Sequence, residues 1–272
     1  LNNVGDVMTP DPVTVSVNTS VTKVRSILRD ESFRCVPVVS GKHLEGTITR
    51  GDMMRISATK SNIEARGIME HPKVITTPEV DINEIGKQII NADIIQAPVV
   101  KSEDDMTVVG MISVADILEN LVDREVKPKK RNVGESTTRN VVTCNYDDPL
   151  SKVWDKMDDT GYSGLPVLKK KKIIGMITRK DIINSGHVRL SKEGGVKKPT
   201  KVESVMKTPP VVITEDKDIK EAAKLMIKYN IGRLPVVDHP VHIKKEPERV
   251  REAELVGIIT REDVLGSYIN CF

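Results

Sequence analysis

The sequence predicts an α/β (α+β) chain made from one small unit used four times, and three observations carry that prediction. An apolar run broken by one proline recurs as Val36-Pro37-Val38-Val39, Ala97-Pro98-Val99-Val100, Leu165-Pro166-Val167-Leu168 and Leu234-Pro235-Val236-Val237, at intervals of 61, 68 and 69 residues. After each comes an apolar stretch that opens on glycine and closes on a hydroxyl and an aspartate: Gly46 to Asp52, Gly110 to Asp116, Gly175 to Asp181 and Gly257 to Asp263. Before each lies a one-faced helical pattern. Self-similarity at a fixed period is the signature of a repeat architecture.

Taken in order, each unit starts with a short strand, as in Val13-Thr14-Val15 and Val211-Val212-Ile213. A helix follows, with apolar residues three and four apart: Val21, Val24, Ile27 and Leu28; Ile82, Ile85 and Ile89; Leu150, Val153, Trp154 and Met157; Ile219, Ala222, Ala223 and Met226. Asp147-Asp148-Pro149 and Glu215-Asp216 supply start signals for two of these. The proline run and the glycine run are the next two strands, and a second helix leaves each aspartate. The unit therefore reads strand, helix, strand, strand, helix. Upstream of the first strand, Val7-Met8-Thr9-Pro10, Ile68-Met69-Glu70-His71-Pro72 and Val205-Met206-Lys207-Thr208-Pro209 also repeat, with Thr137 in the place of methionine in the third unit. The turn between the last two strands is tight at Ser40-Gly41-Lys42, whereas Asp238 to Glu254 reads as a long charged insertion, the one irregular element.

Together these residues resemble the CBS domain, over nearly the whole of the 272 residues. The resemblance implies four CBS repeats, 1–60, 61–126, 127–190 and 191–272, paired into two pseudo-twofold Bateman modules, 1–126 and 127–272. Pairing has a physical reason, because a unit of about 60 residues buries too little apolar surface to be secure alone. Lys127-Pro128-Lys129-Lys130-Arg131 has the charge and proline of an exposed connector between modules, and Lys192 to Lys201 is a second hydrophilic stretch. Among CBS proteins, the chain is similar to the four-repeat regulatory gamma subunits of AMP-activated protein kinase.

Bulk properties narrow the function. The chain is 38% hydrophobic and 30% charged, a globular composition, and only 3% aromatic, so aliphatic side chains must fill the core. A net charge of +3 with mixed signs gives no reason to expect nucleic acid or an anionic membrane as partner. Cys35, Cys144 and Cys271 are odd in number and far apart, which reads as reduced thiols in a cytoplasmic protein, and nothing approaches a membrane span or a signal peptide.

The chemistry-bearing positions are Thr49 and Asp52, Ser113 and Asp116, Thr178 and Asp181, and Thr260 and Asp263. A hydroxyl followed three residues later by an acid is also a helix capping box, and capping accounts for the hydroxyls without excluding binding. The longer Glu closes such a box more comfortably, so Asp in all four repeats points to an acid that faces outward. By resemblance, each aspartate accepts hydrogen bonds from the ribose hydroxyls of an adenosine ligand, and the Thr or Ser contacts ribose or phosphate. Arg50, Arg179, Lys180 and Arg261 inside the motifs offer counter-charge for phosphate, whereas Val114 and Ala115 leave repeat two the weakest for it. Two residues before each repeated proline stand Cys35, Gln96, Gly164 and Arg233, and the resemblance makes Arg233 a phosphate contact. It also places an apolar adenine slot at Val13, Ile94, Val141, Tyr162, Val211 and Ile231, positions where plain core packing is the competing explanation.

Other patterns carry less. His239 and His242 have no third ligand in view and read as surface residues, so no metal is expected. The lysine run Lys169 to Lys172 reads as a solvated turn, and with few aromatics to stack bases, nucleic acid is an unlikely partner. No nucleophile elbow, phosphate-binding glycine loop or cysteine–histidine pair is present, and the four repeats leave no stretch for a catalytic domain, so no enzyme activity and no required cofactor are expected. The expectation is a regulatory, energy-sensing CBS protein that binds AMP, ADP, ATP or S-adenosylmethionine in its clefts, with a homodimer of modules and a regulated protein as further partners. The competing class is a ligand-independent interaction scaffold.

Overall fold

The computed structural model describes residues 2–30, 33–54, 56, 62–185 and 198–269. Repeat one contains α1 (Val4–Val7), β1 (Thr9–Pro10), β2 (Val15–Ser16), α2 (Val21–Asp30), β3 (Cys35–Ser40), β4 (His43–Thr49) and α3 (Arg50–Met54). Repeat two contains α4 (Ile82–Asn91), β5 (Gln96–Ser102), β6 (Asp105–Ser113) and α5 (Val114–Asp123). Repeat three contains β7 (Cys144–Asn145), α6 (Leu150–Thr160), β8 (Gly164–Lys169), β9 (Lys172–Thr178) and α7 (Arg179–Ser185). Repeat four contains α8 (Ile219–Tyr229), β10 (Arg233–Ile243), β11 (Glu246–Thr260) and α9 (Arg261–Tyr268).

The strand order of the first sheet is β1-β6-β4-β3-β2, with β5 also on β6, and that of the second is β10-β11-β9-β8-β7. In every repeat the first extended segment runs parallel to the proline strand: Val15 opposite Val38, Thr76 opposite Val99, Cys144 opposite Val167 and Ile213 opposite Val236. The parallel pairing needs a crossover, and the amphipathic first helix supplies it. Repeats one and two join edge to edge through His43 and Thr107, and repeats three and four through Ile173 and Ala253.

Within each pair the two repeats also exchange their leading segments. Thr9 and Pro10 pair with Met111 and Gly110 of repeat two, while Glu70 returns to Thr47 of repeat one. Thr138 pairs with Ile258 of repeat four, and Lys207 with Met176 of repeat three. This explains two repeated residues at once. The methionine of one leading segment lies on the strand glycine of its partner repeat, Met8 on Gly110, Met69 on Gly46 and Met206 on Gly175, with Thr137 on Gly257. A Cβ at Gly175 would stand 2.8 Å from Met206 Sδ and 2.9 Å from Lys207 O, so the close approach requires glycine.

The Asp238 to Glu254 segment is regular, contrary to the sequence expectation. It lengthens the β10–β11 hairpin, and register shifts between Asp238 and Val241 and again at His242 absorb its extra residues as bulges. The lysine run is a tight turn as expected: Lys170 and Lys171 take φ of 50° and 66° between β8 and β9. Its charge is partly answered, since Lys172 pairs with Glu252 at 3.5 Å and Lys169 lies over the Tyr146 ring. Among the described residues no helix is long and apolar enough to cross a membrane. Cys35 and Cys144 are free thiols, and Cys271 and Lys192 to Lys197 lie outside the described residues.

The apolar core is divided unevenly. One cluster runs through Ile85 and Ile89 on α4, Ile117 and Leu118 on α5, Ala222 and Met226 on α8 and Leu265 on α9, and so joins repeat two to repeat four. Repeat one closes a separate core around Val24, Val36 and Ile48, and repeat three another around Val153, Leu165 and Ile182.

Candidate functional site

Every one of the four hydroxyl–aspartate pairs closes a capping box. The backbone N–H of Thr49, Ser113, Thr178 and Thr260 donates to Oδ2 of Asp52, Asp116, Asp181 and Asp263 at 2.8, 3.0, 2.9 and 2.9 Å. The backbone N–H of each aspartate donates back to the hydroxyl, at 3.2, 3.0, 3.2 and 3.1 Å. The expectation that Asp, being shorter than Glu, faces outward is thus corrected: an N-cap in extended conformation brings its N–H within reach of Asp, and all four carboxylates turn back onto it. In each repeat the cap uses one carboxylate oxygen, Oδ2. Burial raises the carboxyl pKa of Asp116 and of Asp263, outweighing the hydrogen bonds from their caps that lower it. Asp181 Oδ1 has Lys207 Nζ 3.7 Å away, beside a hollow lined by Asn184 and Ser204.

Each motif arginine sends one guanidinium nitrogen back into its own repeat. Arg50 Nε donates to Leu28 O at 3.3 Å, Arg179 Nη2 to Met157 O at 3.2 Å and Arg261 Nη2 to the Asn230 side chain at 2.9 Å. Each acceptor lies in the last turn or at the cap of the repeat's first helix, the end of the helix dipole where a cation is favoured. Burial pulls the Arg50 and Arg261 guanidinium groups down to about 10, and Arg34 pushes both the same way. Arg50 Nη2 is buried with no hydrogen-bond partner among the described residues. Lys180 is also lowered by burial, with Arg50, Lys207 and Arg34 adding to the effect and Asp181 opposing it.

Arg233 behaves differently. It leaves repeat four, crosses the pseudo-twofold axis and lies over the Tyr162 ring of repeat three, 4.7 Å from the ring centre. Gly164 makes room for it, since a Cβ there would stand 3.3 Å from Arg233 Cδ. Arg233 Nε is buried without a partner among the described residues. Burial lowers its pKa, while Glu262, Tyr162 and Asp263 raise it. One cleft therefore combines an aromatic slot residue from repeat three with a cation and an aspartate from repeat four.

Of the other slot residues, Val13 is exposed, Val211 is buried in the shared core, and Ile94 and Ile231 pack half-buried against that core. The register places Val142, not Val141, at the position of Val13 and Val211, because Cys144 pairs as Val15 and Ile213 do. Val141 is half-buried one residue away. Sequence reasoning also passed over Phe33 and Arg34. Phe33 stands four residues before Pro37, the offset that selected Tyr162 and Ile231, so the signal was available. Arg34 crosses from repeat one to repeat four, where a Cβ at Gly232 would stand 3.0 Å from its Nη1 and 3.6 Å from Arg261 Nη1. His239 sits 3.5 Å from Asp238 and 3.8 Å from Glu254, an exposed group on the long hairpin and away from these clefts.

The comparisons with known proteins agree with this architecture. The CBS domain matches at residues 4–59, 65–123, 133–187 and 202–245. The chain belongs to the CBS domain family. Its CBS repeats align with protein MJ1225 of Methanocaldococcus jannaschii at 26% identity over 278 residues, 93% of this chain and 94% of that one. The crystal structure of MJ1225, proposed as an archaeal homolog of g-AMPK, superposes with a TM-score of 0.80 at 24% identity, covering 97% of this chain and 98% of that one. A conserved protein from Pyrococcus horikoshii shares the fold with a TM-score of 0.66 at 20% identity, over 98% of this chain and 100% of its own. The inosine-5'-monophosphate dehydrogenase of Korarchaeum cryptofilum matches at 29% identity over 46% of this chain but only 22% of the enzyme.

Proposed function

We propose that this four-repeat CBS chain is a regulatory sensor that binds adenine nucleotides, AMP, ADP or ATP, or a related adenosyl ligand such as S-adenosylmethionine, in the clefts between paired repeats. The observation that carries this reading is the meeting of Tyr162, Arg233 and Asp263 across the axis of the second module. An aromatic face suits a base, a carboxylate suits two vicinal hydroxyls, and a desolvated guanidinium suits a phosphate. Each charged hydrogen bond to the ribose contributes about 1.5–3 kcal/mol. Bound ligand shifts how the modules, or a regulated partner, pack only by the difference in its affinity for the two arrangements.

Isothermal titration of nucleotide-stripped protein with AMP, ADP, ATP and S-adenosylmethionine tests the reading, with thermal shift alongside to catch weak binders. Saturable binding of at least one is expected, weakened ~10- to 100-fold by Asp263→Ala. Silence from all four compounds would sink it.

A further inference from the structure

The pseudo-twofold relation between modules gives the Tyr162–Arg233–Asp263 cleft a counterpart in the first module, and the residues there are different. Repeats one and two stand where repeats three and four do, so Phe33 takes the place of Tyr162, Cys35 of Gly164, Asp116 of Asp263 and Gln96 of Arg233. The strand registers confirm the last exchange, since Gln96 lies opposite Ser113 as Arg233 lies opposite Thr260. Both clefts keep the same capped aspartate, and burial raises its pKa in each. What changes is the group facing the ligand's far end.

Arg233 presents a desolvated cation whose Nε lacks a partner among the described residues, which is an unmet demand for an anion. Gln96 presents the opposite demand. Its side-chain carbonyl Oε1 is buried and likewise lacks a hydrogen-bond partner among the described residues, so it needs a donor. A phosphate oxygen would set lone pairs against that carbonyl, and Val114 and Ala115 bring no cation to the start of α5. Arg261 does act on Asp116, but its Nη2 is spent on Asn230. A hydroxyl or amino group on an uncharged ligand supplies what Gln96 lacks.

We propose that the two equivalent clefts sort adenosyl ligands by charge: the Arg233–Asp263 cleft takes an anionic nucleotide, and the Gln96–Asp116 cleft takes an uncharged adenosine derivative. The proposal rests on the sensor reading above and goes beyond it by giving each cleft its own ligand class. Gln96 and Arg233 are the residues that set the specificity.

The test uses the full chain carrying Asp52→Ala and Asp181→Ala, which isolates the two clefts, titrated with AMP and with adenosine. Circular dichroism checks the fold of each variant, and Asp→Asn versions replace any Asp→Ala variant that unfolds. AMP binding is expected to disappear on adding Asp263→Ala and to survive Asp116→Ala, with the reverse for adenosine. Arg233→Gln should raise the Kd for AMP ~10- to 100-fold while leaving adenosine within about twofold, and Gln96→Arg should create a second AMP site. AMP lost equally with either aspartate, or a Gln96→Arg chain with no added AMP site, overturns the sorting. Adenosine failing to bind while AMP binds the Asp263 cleft also overturns it and leaves the sensor reading standing. Failure of every adenosyl compound on the unmutated chain removes both.

Discussion

Repeats two and four share one apolar core, in which Ile117 and Leu118 of α5 pack in the same cluster as Ala222, Met226 and Leu265. Repeats one and three, at the corresponding places in their modules, each close a core of their own and meet through charge instead. Arg179 presses on Gly51 across that boundary, while Arg50 feels Asp181 from the far side and Lys180 feels Arg34 and Arg50. The two halves are built from the same repeat, yet one joins its repeats through a shared apolar core and the other sets Arg34, Arg50 and Lys180 near one another at its boundary, with Asp181 opposing their repulsion. Apolar burial responds to salts only through their general effect on hydration, whereas a cationic boundary also binds a particular anion that reaches it.

The largest effect that separates the halves is on cooperativity. Ile117 and Ile48 are both fully buried, so truncating either to alanine removes the same atoms and costs about 2–5 kcal/mol. Trp154, the sole tryptophan, packs against the separate core of repeat three and reports its unfolding by fluorescence. Because the Ile117 core extends into the second module, Ile117→Ala is expected to shift the Trp154 transition together with the circular dichroism transition. Ile48→Ala is expected to shift the circular dichroism transition and leave the tryptophan midpoint nearly in place. Equal shifts of the tryptophan midpoint would break the division into a welded and a charged half.

A smaller contrast lies in two glycines. A Cβ at Gly257, on a paired strand of repeat four, would meet backbone, with Thr138 O only 2.5 Å away. At Gly232 it would meet the tips of Arg34 and Arg261, at 3.0 Å and beyond. Backbone in a paired strand cannot withdraw, so Gly257→Ala should cost about 1–3 kcal/mol, and Gly232→Ala distinctly less because arginine tips swing aside. Urea midpoints of the two variants measure the difference, and a Gly232→Ala loss as large as that of Gly257→Ala would show the arginine contact between repeats one and four to be as rigid as the strands.

The cationic boundary itself should respond to anions. Sodium sulfate or pyrophosphate, compared with chloride at equal ionic strength, is expected to raise the Trp154 melting temperature by a few degrees, corresponding to about 1 kcal/mol in a chain of this size. Arg50→Gln should remove most of that gain while leaving the melt in chloride little changed or higher, since a buried cation is no longer held beside Arg34. A gain that persists undiminished in Arg50→Gln would be the general stabilising effect of excluded anions, or binding elsewhere, and would count against this boundary.

Much of this was legible in the sequence, for reasons that differ by element. The four units and their element order follow from spacing alone, because a proline strand and a capped helix each leave local marks. The repeated glycine and methionine were visible too, but their reason was not: Met69 lies on Gly46 and Met206 on Gly175 only because leading segments change places within a pair. Likewise the arginine after each Thr looked like a phosphate ligand from its position, and the fold turns it onto the end of the preceding helix. The direction of a long side chain is set by what is vacant around it, here Gly164 for Arg233 and Gly232 for Arg34, and vacancy is a tertiary property. The hairpin of repeat four was misread because its charges alternate along extended strands that a length-based reading takes for a loop.

The finest test of the comparison is in pH. Asp116 and Asp263 start the second helices of the welded half, and burial lifts both carboxyl groups above the ordinary aspartate range. A carboxyl with a folded pKa above its unfolded value binds more protons in the native state through that interval. The stability it contributes is therefore fully present below the unfolded pKa and is lost as pH rises through the folded one. Ligand binding through the ionised oxygen runs the other way, weakening on acidification before ordinary exposed carboxylates titrate. Urea unfolding between about pH 6.5 and about pH 4 should show wild type losing less stability on acidification than an Asp116→Asn/Asp263→Asn chain, which lacks this contribution. Adenosine affinity, which has no phosphate titrating in this range, should fall over the same interval with a midpoint above the usual aspartate value. Parallel stability profiles, or an affinity that holds constant down to the ordinary carboxylate range, would mean that these two carboxylates are as well solvated as exposed ones, and that the welded half does not extend its dry core to the clefts.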